Sequence, residues 1–169
     1  MLFFVYFLST FVLNLSTKRG GMRAVVQRVL RADLKVNGEL ISEINGGYVV
    51  FLGIKVGDSE ADAQKIASKI SKLRIFEDEN GKMNLSIKQA QGQILLVSQF
   101  TLYGDCKGCN RPSFIQAERP ERANELYLKV KEFVERENII VNIGVFGVDM
   151  KIDVLNDGPV TIILDSNEI

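Results

Sequence analysis

The sequence predicts an α+β fold built on a mixed, largely antiparallel sheet. Apolar runs of strand length recur along most of the chain, only two segments carry helical periodicity, and the two kinds do not alternate as a doubly wound sheet requires. Ala24, Val25, Val26, Val29 and Leu30, interrupted by Gln27 and Arg28, open the first strand. Val36-Asn37-Gly38-Glu39 reads as a hairpin flanked by two short strands, because Asn-Gly supplies the two positive φ angles of a type I′ turn. Gly46 and Gly47 lead into Tyr48–Ile54, whose unbroken apolar character indicates burial on both faces. Ser59 and Asp62 form a capping-box pattern, and Ala63, Ile66, Ala67, Ile70 and Leu73 follow at helical spacing. Asn80-Gly81 marks another turn, and Ile94 starts an apolar strand that the pattern carries to Tyr103. Pro120, well suited to a first helical position, precedes the stripe Ala123, Leu126, Tyr127, Val130 and Phe133. Three strands, Ile139–Val145, Val148–Val154 and Val160–Leu164, complete the reading.

Composition narrows the chemistry. With 169 residues, 46% of them hydrophobic, the chain suits a single domain with a sizeable core. Twenty-one basic residues balance 21 acidic ones, so broad wrapping of a phosphate backbone is disfavoured and any nucleic-acid contact should be local. Histidine is absent, which removes Ser-His-Asp and Cys-His devices, zinc triads and every imidazole base. Two cysteines, Cys106 and Cys109, are too few for the disulfide framework of a small secreted domain.

Residues Met1–Leu15 are almost wholly apolar, while everything from Met22 onward is mixed, globular sequence. The run has no preceding basic residues and no small-residue cleavage site, and Ser9, Thr10 and Asn14 break it well short of the roughly 20 residues a bilayer needs. Residues 1–21 are therefore read as an extension outside the domain, upstream sequence before a start at Met22, with an apolar anchor as the alternative. The domain is residues 22–169, and without Lys18 and Arg19 it carries 19 basic against 21 acidic residues.

Three segments concentrate polar groups. Ser98-Gln99-Phe100-Thr101-Leu102 interrupts a greasy strand; with a period of two, Gln99 and Thr101 share one face and Ser98, Phe100 and Leu102 the other. The pattern fits a strand leaving the core, or a strand end presenting a backbone N–H and polar side chains to a ligand. Thr101 as a nucleophile lacks the base that an alcohol requires. Asn156-Asp157-Gly158-Pro159-Val160-Thr161 reads first as a turn between two strands; Gly-Pro is also a place where a cis peptide is tolerated, aiming two successive carbonyls the same way. Between Asp105 and Phe114 runs a polar loop in which Cys106 and Cys109 have CxxC spacing without the second ligand pair a tetrahedral zinc site needs. Lys107 and Arg111 in that loop are read as local phosphate or carboxylate contacts, or as plain solvated residues.

Ser98-Gln99-Phe100-Thr101-Leu102 followed by Asn156-Asp157-Gly158-Pro159-Val160-Thr161 closely resembles the D-aminoacyl-tRNA deacylase family. Met22-Arg23-Ala24-Val25-Val26-Gln27-Arg28-Val29 is similar to that family's amino terminus, Lys107-Gly108 with Arg111-Pro112-Ser113-Phe114 to a loop after its first motif, and Phe146-Gly147 with Met150 to a third segment. The likeness runs from Met22 to about Asp165. The loop departs from it, with Cys106 and Cys109 flanking Lys107-Gly108 where a more basic stretch is expected. The resemblance implies mixed and antiparallel sheets in a barrel-like sandwich with two main helices. It implies a cytoplasmic homodimer, without cofactor, metal or stable membrane partner, whose sites at the subunit interface hydrolyse the ester joining a D-amino acid to the 3′-terminal adenosine of tRNA. Ser98, Gln99, Phe100 and Thr101 would then line the catalytic site, with the Phe100 N–H as oxyanion donor. Gly158 and Pro159 would form a cross-subunit Gly-cisPro element that excludes L-aminoacyl groups, and Gln27, Arg28, Asn156, Phe146 and Met150 would contact substrate. An achiral substrate escapes such a wall, so glycyl-tRNA mischarged onto tRNA(Ala) is an expected secondary substrate. Two other readings compete: a non-catalytic nucleic-acid or partner-binding module on the same fold, and a related deacylase that clears an L-amino acid because its Gly-Pro bond is trans. N-terminal sequencing of the native protein is expected to read Met22-Arg23-Ala24; a chain beginning at Met1 would contradict the assigned start.

Overall fold

A computed structural model describes residues 21–169. The extension assigned to residues 1–21 lies, except for Gly21, outside the described residues. The first strand is longer than its apolar run suggests: β1 spans Arg23–Val36 and turns through Asn37 (φ 51°) and Gly38 (φ 84°), the two positive angles expected of Asn-Gly, into β2, Glu39–Ile44. β3 (Gly47–Gly53) returns antiparallel to the first half of β1. Helix α1 (Glu60–Lys72) starts where the capping pattern places it, the Ser59 N–H donating to Asp62 Oδ2 at 2.9 Å. A small hairpin, β4 (Arg74–Glu77) and β5 (Met83–Ser86), precedes β6 (Gln93–Ser98), which lies parallel to β3. Helix α2 (Pro120–Glu135) crosses to β7 (Val141–Ile143), parallel to β6, and β8 (Lys151–Asp165) closes the chain beside β1.

β1 is the hub of the sheet, pairing along one side with β8 and along the other with β3 and β2; the order continues through β6 to β7. β2 curls back toward the far edge, where Ser42 Oγ donates to the Ile143 carbonyl at 2.6 Å and Asn142 Nδ2 to the Glu43 carbonyl at 2.7 Å. These bonds bring the sheet close to a closed barrel with both helices on one outer face, as the resemblance implied.

Two cores follow from the strand period. Tyr48, Val50 and Leu52 of β3 with Ile94 and Leu96 of β6 face Ile66, Ile70, Leu126, Tyr127 and Val130 of the helices. Their neighbours Val49, Leu95 and Val97 face inward and meet Val29, Leu34 and Ile44 inside the barrel. β3 is thus buried on both faces, as its apolar run indicated. The α2 stripe ends one residue later than expected, with Val134 buried and Phe133 only partly so.

Three expectations need correction. β6 ends at Ser98 and the chain winds into a 3-10 turn, Phe100–Tyr103, so the two-residue alternation does not extend beyond Ser98. The turn forms because Tyr103 is drawn inward, its buried hydroxyl lying 3.1 Å from the carbonyl of Gly53 at the end of β3. The strand expected over Ile139–Val145 shrinks to Val141–Ile143, because the chain leaves the ladder at Gly144 and turns at Gly147 (φ 77°). The two final strands are one, Lys151–Asp165, and the Asn156–Thr161 segment lies within it instead of reversing the chain.

Carboxylates gather where the chain enters the fold. The Gly21 N–H donates to Asp165 Oδ1 at 2.6 Å, Arg23 Nε to Asp165 Oδ2 at 3.2 Å, and Ser166 Oγ to Asp62 Oδ1 at 2.9 Å. Burial opposes ionisation of Asp62 and Asp165, but these donors outweigh it and hold both below the ordinary carboxylate range. Asp58 goes the other way: burial pushes it from 3.8 to about 6, helped by the Asp62 and Asp165 charges and opposed by the Lys55 N–H. A carboxyl raised in the folded state holds its proton more tightly there, so its contribution to stability declines as pH rises from about 4 to about 6. Asp62 and Asp165 contribute above the unfolded carboxylate pKa, and that contribution disappears as pH falls through their lowered values. Asp58→Asn is expected to remove the decline between about pH 4 and 6 in denaturant midpoints; curves parallel to wild type would contradict this assignment.

Candidate active site

The end of β6 opens onto a cavity of about 680 Å³, within the usual range for a small-molecule site. Ser98, Gln99 and Phe100 form its polar end, while Leu52 of β3 and Ile54 just after it, Pro120 and Ala123 of α2, and Phe146, Met150 and Ile152 supply apolar walls. The Gln99 N–H makes the last rung to β3, donating to the Leu52 carbonyl at 2.8 Å. Beyond it, Leu102 and Gly104 donate back to the Gln99 and Thr101 carbonyls at 3.4 and 3.0 Å. Arg23 braces the turn from outside, Nη1 donating to the Leu102 carbonyl at 3.4 Å while its guanidinium lies over the Tyr103 ring.

The opening residues of a helical turn leave their N–H groups without an intrahelical acceptor. That of Phe100 has no backbone acceptor among the described residues, and Phe100 is one of the residues that line the cavity. The Phe100 ring, itself 57% exposed, packs edge-on against Phe114 with centroids 5.0 Å apart. Gln99 Nε2 donates to Thr101 Oγ1, so the Thr101 hydroxyl is held by an amide and not by a base. Burial pushes the Tyr103 phenol far above its ordinary value, leaving it a neutral donor. What the cavity offers a reacting ester is a largely apolar enclosure, with Glu118, Arg119 and Asp149 also in its lining, and a backbone N–H without a backbone acceptor.

The remaining candidates form a second cluster. Gln27 pairs with Thr161 and Val29 with Asn156, so Arg28 alone stands opposite the four residues Asp157–Val160. The β8 segment bulges away from the ladder, and Arg28, 4% exposed, reaches into the bulge. Its Nε donates to the Asp157 carbonyl at 3.3 Å and pairs with Asp157 Oδ2 at 3.0 Å; Nη1 donates to the Ile75 carbonyl at 2.6 Å. Glu77 lies 3.8 Å from Nη2. At the top of the bulge Gly158 has φ 125°, a conformation that disfavours a side chain, and a Cβ there would come within 2.8 Å of Val160. The Gly158-Pro159 bond is cis.

Of the residues chosen from sequence, the structure brings Ser98, Gln99, Phe100, Phe146 and Met150 to one cavity, with Thr101 on the same turn. Gln27, Arg28, Asn156, Gly158 and Pro159 sit apart from its lining, at the bulge. Sequence reasoning missed the contribution of the start of α2, Glu118 and Arg119 just before the helix and Ala123 within it, for which the only signal was Pro120 as a helix start. Cys106 and Cys109 are free and exposed.

A profile of the family described as D-Tyr-tRNA(Tyr) deacylase matches residues 25–165. A D-aminoacyl-tRNA deacylase of Dictyoglomus turgidum is 51% identical over 148 residues, covering 88% of this chain and 95% of that protein. One from Aquifex aeolicus is 49% identical over 148 residues, covering 88% of this chain and all (100%) of that protein. Among solved structures, one titled c-Myc DNA Unwinding Element Binding Protein superposes with a TM-score of 0.79 at 43% identity, over 84% of this chain and 97% of its own. A probable eukaryotic D-amino acid tRNA deacylase shares the fold, with a TM-score of 0.72 at 19% identity over 85% of this chain and 98% of its own.

Removing the buried guanidinium strips the Ile75 and Asp157 carbonyls of a charged donor. Arg28→Ala is therefore expected to cost about 2–3 kcal/mol in denaturant unfolding. An unchanged midpoint would show that the bulge holds itself.

Proposed function

The chain belongs to the D-Tyr-tRNA(Tyr) deacylase family, and on that premise we propose how its cavity hydrolyses the ester of a D-aminoacyl-tRNA. The chain is an ester hydrolase of the D-aminoacyl-tRNA deacylase class. The observation that carries the mechanism is a Phe100 N–H without a backbone acceptor, on a residue that lines a largely apolar cavity. The terminal adenosine and the amino-acid side chain occupy the apolar walls, and the ester carbonyl lies against Phe100. Water, oriented by the neighbouring ribose hydroxyl, adds to the ester carbonyl and gives a tetrahedral oxyanion that the N–H stabilises; collapse breaks the bond to the ribose oxygen, which takes up one proton of the water while the other passes to solvent, and the amino acid is released as its carboxylate. Such a route needs no imidazole, which agrees with a chain that has none. Ser98, Gln99 and Thr101 orient the ester around that donor.

Selectivity comes from the bulge. Gly158 and Pro159, held by Arg28 and Asp157, enter the cavity of a second subunit and present backbone carbonyls to the α-carbon of the substrate. A rigid main-chain wall excludes an L side chain by clash and by unpaired polar groups while leaving the D side chain unread. The separation of the bulge from the cavity within one chain supports a homodimer as the working unit. Gln27, Asn156, Phe146 and Met150 complete the contacts with substrate. Glycine has no side chain to exclude, so glycyl-tRNA(Ala) is a second substrate. Among the described residues no helix is long and apolar enough to cross a membrane, and the enzyme works in the cytoplasm, where its tRNA substrate is charged.

Phe100→Pro deletes the N–H at a position where no helical bond depends on it, while Phe100→Ala keeps it. Single-turnover deacylation of D-tyrosyl-tRNA is expected to slow by about 10²–10³-fold in the proline variant and far less in the alanine variant. Equal rates in the two would rule out the backbone donor, and wild-type protein inert toward D-tyrosyl-tRNA would favour a binding module. Glycyl-tRNA(Ala) should be cleared at enzyme concentrations close to those that clear the D-ester; persistence of the glycyl ester would argue against an achiral escape from the wall.

A further inference from the structure

Three charged residues line the cavity, and they differ in what holds them. Glu118 accepts from the Arg119 N–H at 2.8 Å and from the Gly57 N–H at 3.4 Å, and Asp149 pairs with Lys151 at 2.7 Å. Arg119 is the one basic residue of the lining and is exposed; its guanidinium makes no ion pair among the described residues. It stands at the N-cap of α2, just before Pro120, where its side chain makes no capping hydrogen bond. The chain as a whole carries no net charge, so no general field draws in a polyanion and a local contact must do so.

We infer that Arg119 binds the 5′-phosphate of the terminal adenosine, the phosphodiester that joins this nucleotide to the one before it. The inference rests on the tRNA-ester reading above. An ester on the 2′ or 3′ oxygen of the ribose directs that side of the sugar toward Phe100. The 5′ carbon then lies on the far side of the ring, and its phosphate emerges at the mouth. Glu118 and Asp149 would repel an anion arriving there, so a cation is required beside them. A guanidinium meets phosphate oxygens with two parallel N–H groups, a match that a lysine ammonium cannot reproduce. Arg119 thereby fixes how far the adenosine enters, and so where its ester stops.

Three substrates isolate the contact: D-tyrosyl-tRNA, 3′-O-D-tyrosyl-AMP carrying the 5′-phosphate, and 3′-O-D-tyrosyl-adenosine lacking it. Wild-type enzyme is expected to prefer the phosphorylated ester to the nucleoside ester in kcat/KM. Arg119→Ala should reduce that preference about tenfold, the lower end for a charge-assisted contact at an exposed site, with the loss in KM; Arg119→Lys should fall between. The salt dependence of kcat/KM on D-tyrosyl-tRNA should become shallower by about one phosphate contact. A ratio of the two small esters that is the same in wild type, Arg119→Ala and Arg119→Lys would overturn the inference while leaving the deacylase reading intact. Wild-type enzyme that hydrolyses none of the three esters would overturn both.

Discussion

Arg28 is buried to 4% exposure and cannot shed its charge, so the surrounding chain must satisfy it. Three strands do so: β1 carries it, β4 offers the Ile75 carbonyl, and β8 supplies both the carbonyl and the carboxylate of Asp157. Without that guanidinium, four residues of β8 facing one of β1 would have no reason to keep their shape. The bulge is also where Gly158 holds a backbone angle that few other residues tolerate. Arg28 thus converts an irregularity in a strand pair into a fixed arrangement of backbone carbonyls, and the selectivity proposed for the enzyme depends on that arrangement.

The cavity is built by the opposite means. β3 and β6 are buried on both faces, which anchors the end of β6 between two cores. Tyr103 and Arg23 then hold the short turn that follows, from inside and outside the barrel wall. The Phe100 N–H has no backbone acceptor among the described residues, on a turn that these contacts hold; a fixed backbone donor of this kind stabilises developing charge without reorganising. The catalytic donor proposed above belongs to the main chain, which fits a chain that has no histidine.

Much of this was legible in the sequence, for reasons that can be named residue by residue. The Ser59 and Asp62 capping pattern, the Asn37-Gly38 turn and the doubly buried β3 run are local signals, and each appears where it was expected. The family motifs located the polar end of the cavity and the Gly158-Pro159 segment. Long-range effects were not legible. The strand pattern after Ser98 gives way to a turn because Tyr103 reaches the Gly53 carbonyl, 50 residues away. The Asn156–Thr161 segment has the composition of a turn, yet it is a bulge in one strand because β1 continues to pair with β8 on both sides of it. Arg119 had no signal beyond its neighbour Pro120, since its place at the cavity is set by where α2 begins.

The claim that Arg28 sets selectivity through the bulge is tested most directly by the ratio of D-tyrosyl-tRNA to L-tyrosyl-tRNA hydrolysis in folded Arg28→Lys. Lysine keeps the charge but not the fork that spans Ile75 and Asp157. The D-ester is expected still to be cleaved while the L-ester becomes a substrate, lowering the ratio by about tenfold or more. A ratio equal to that of wild type, with both rates intact or both reduced together, would contradict it.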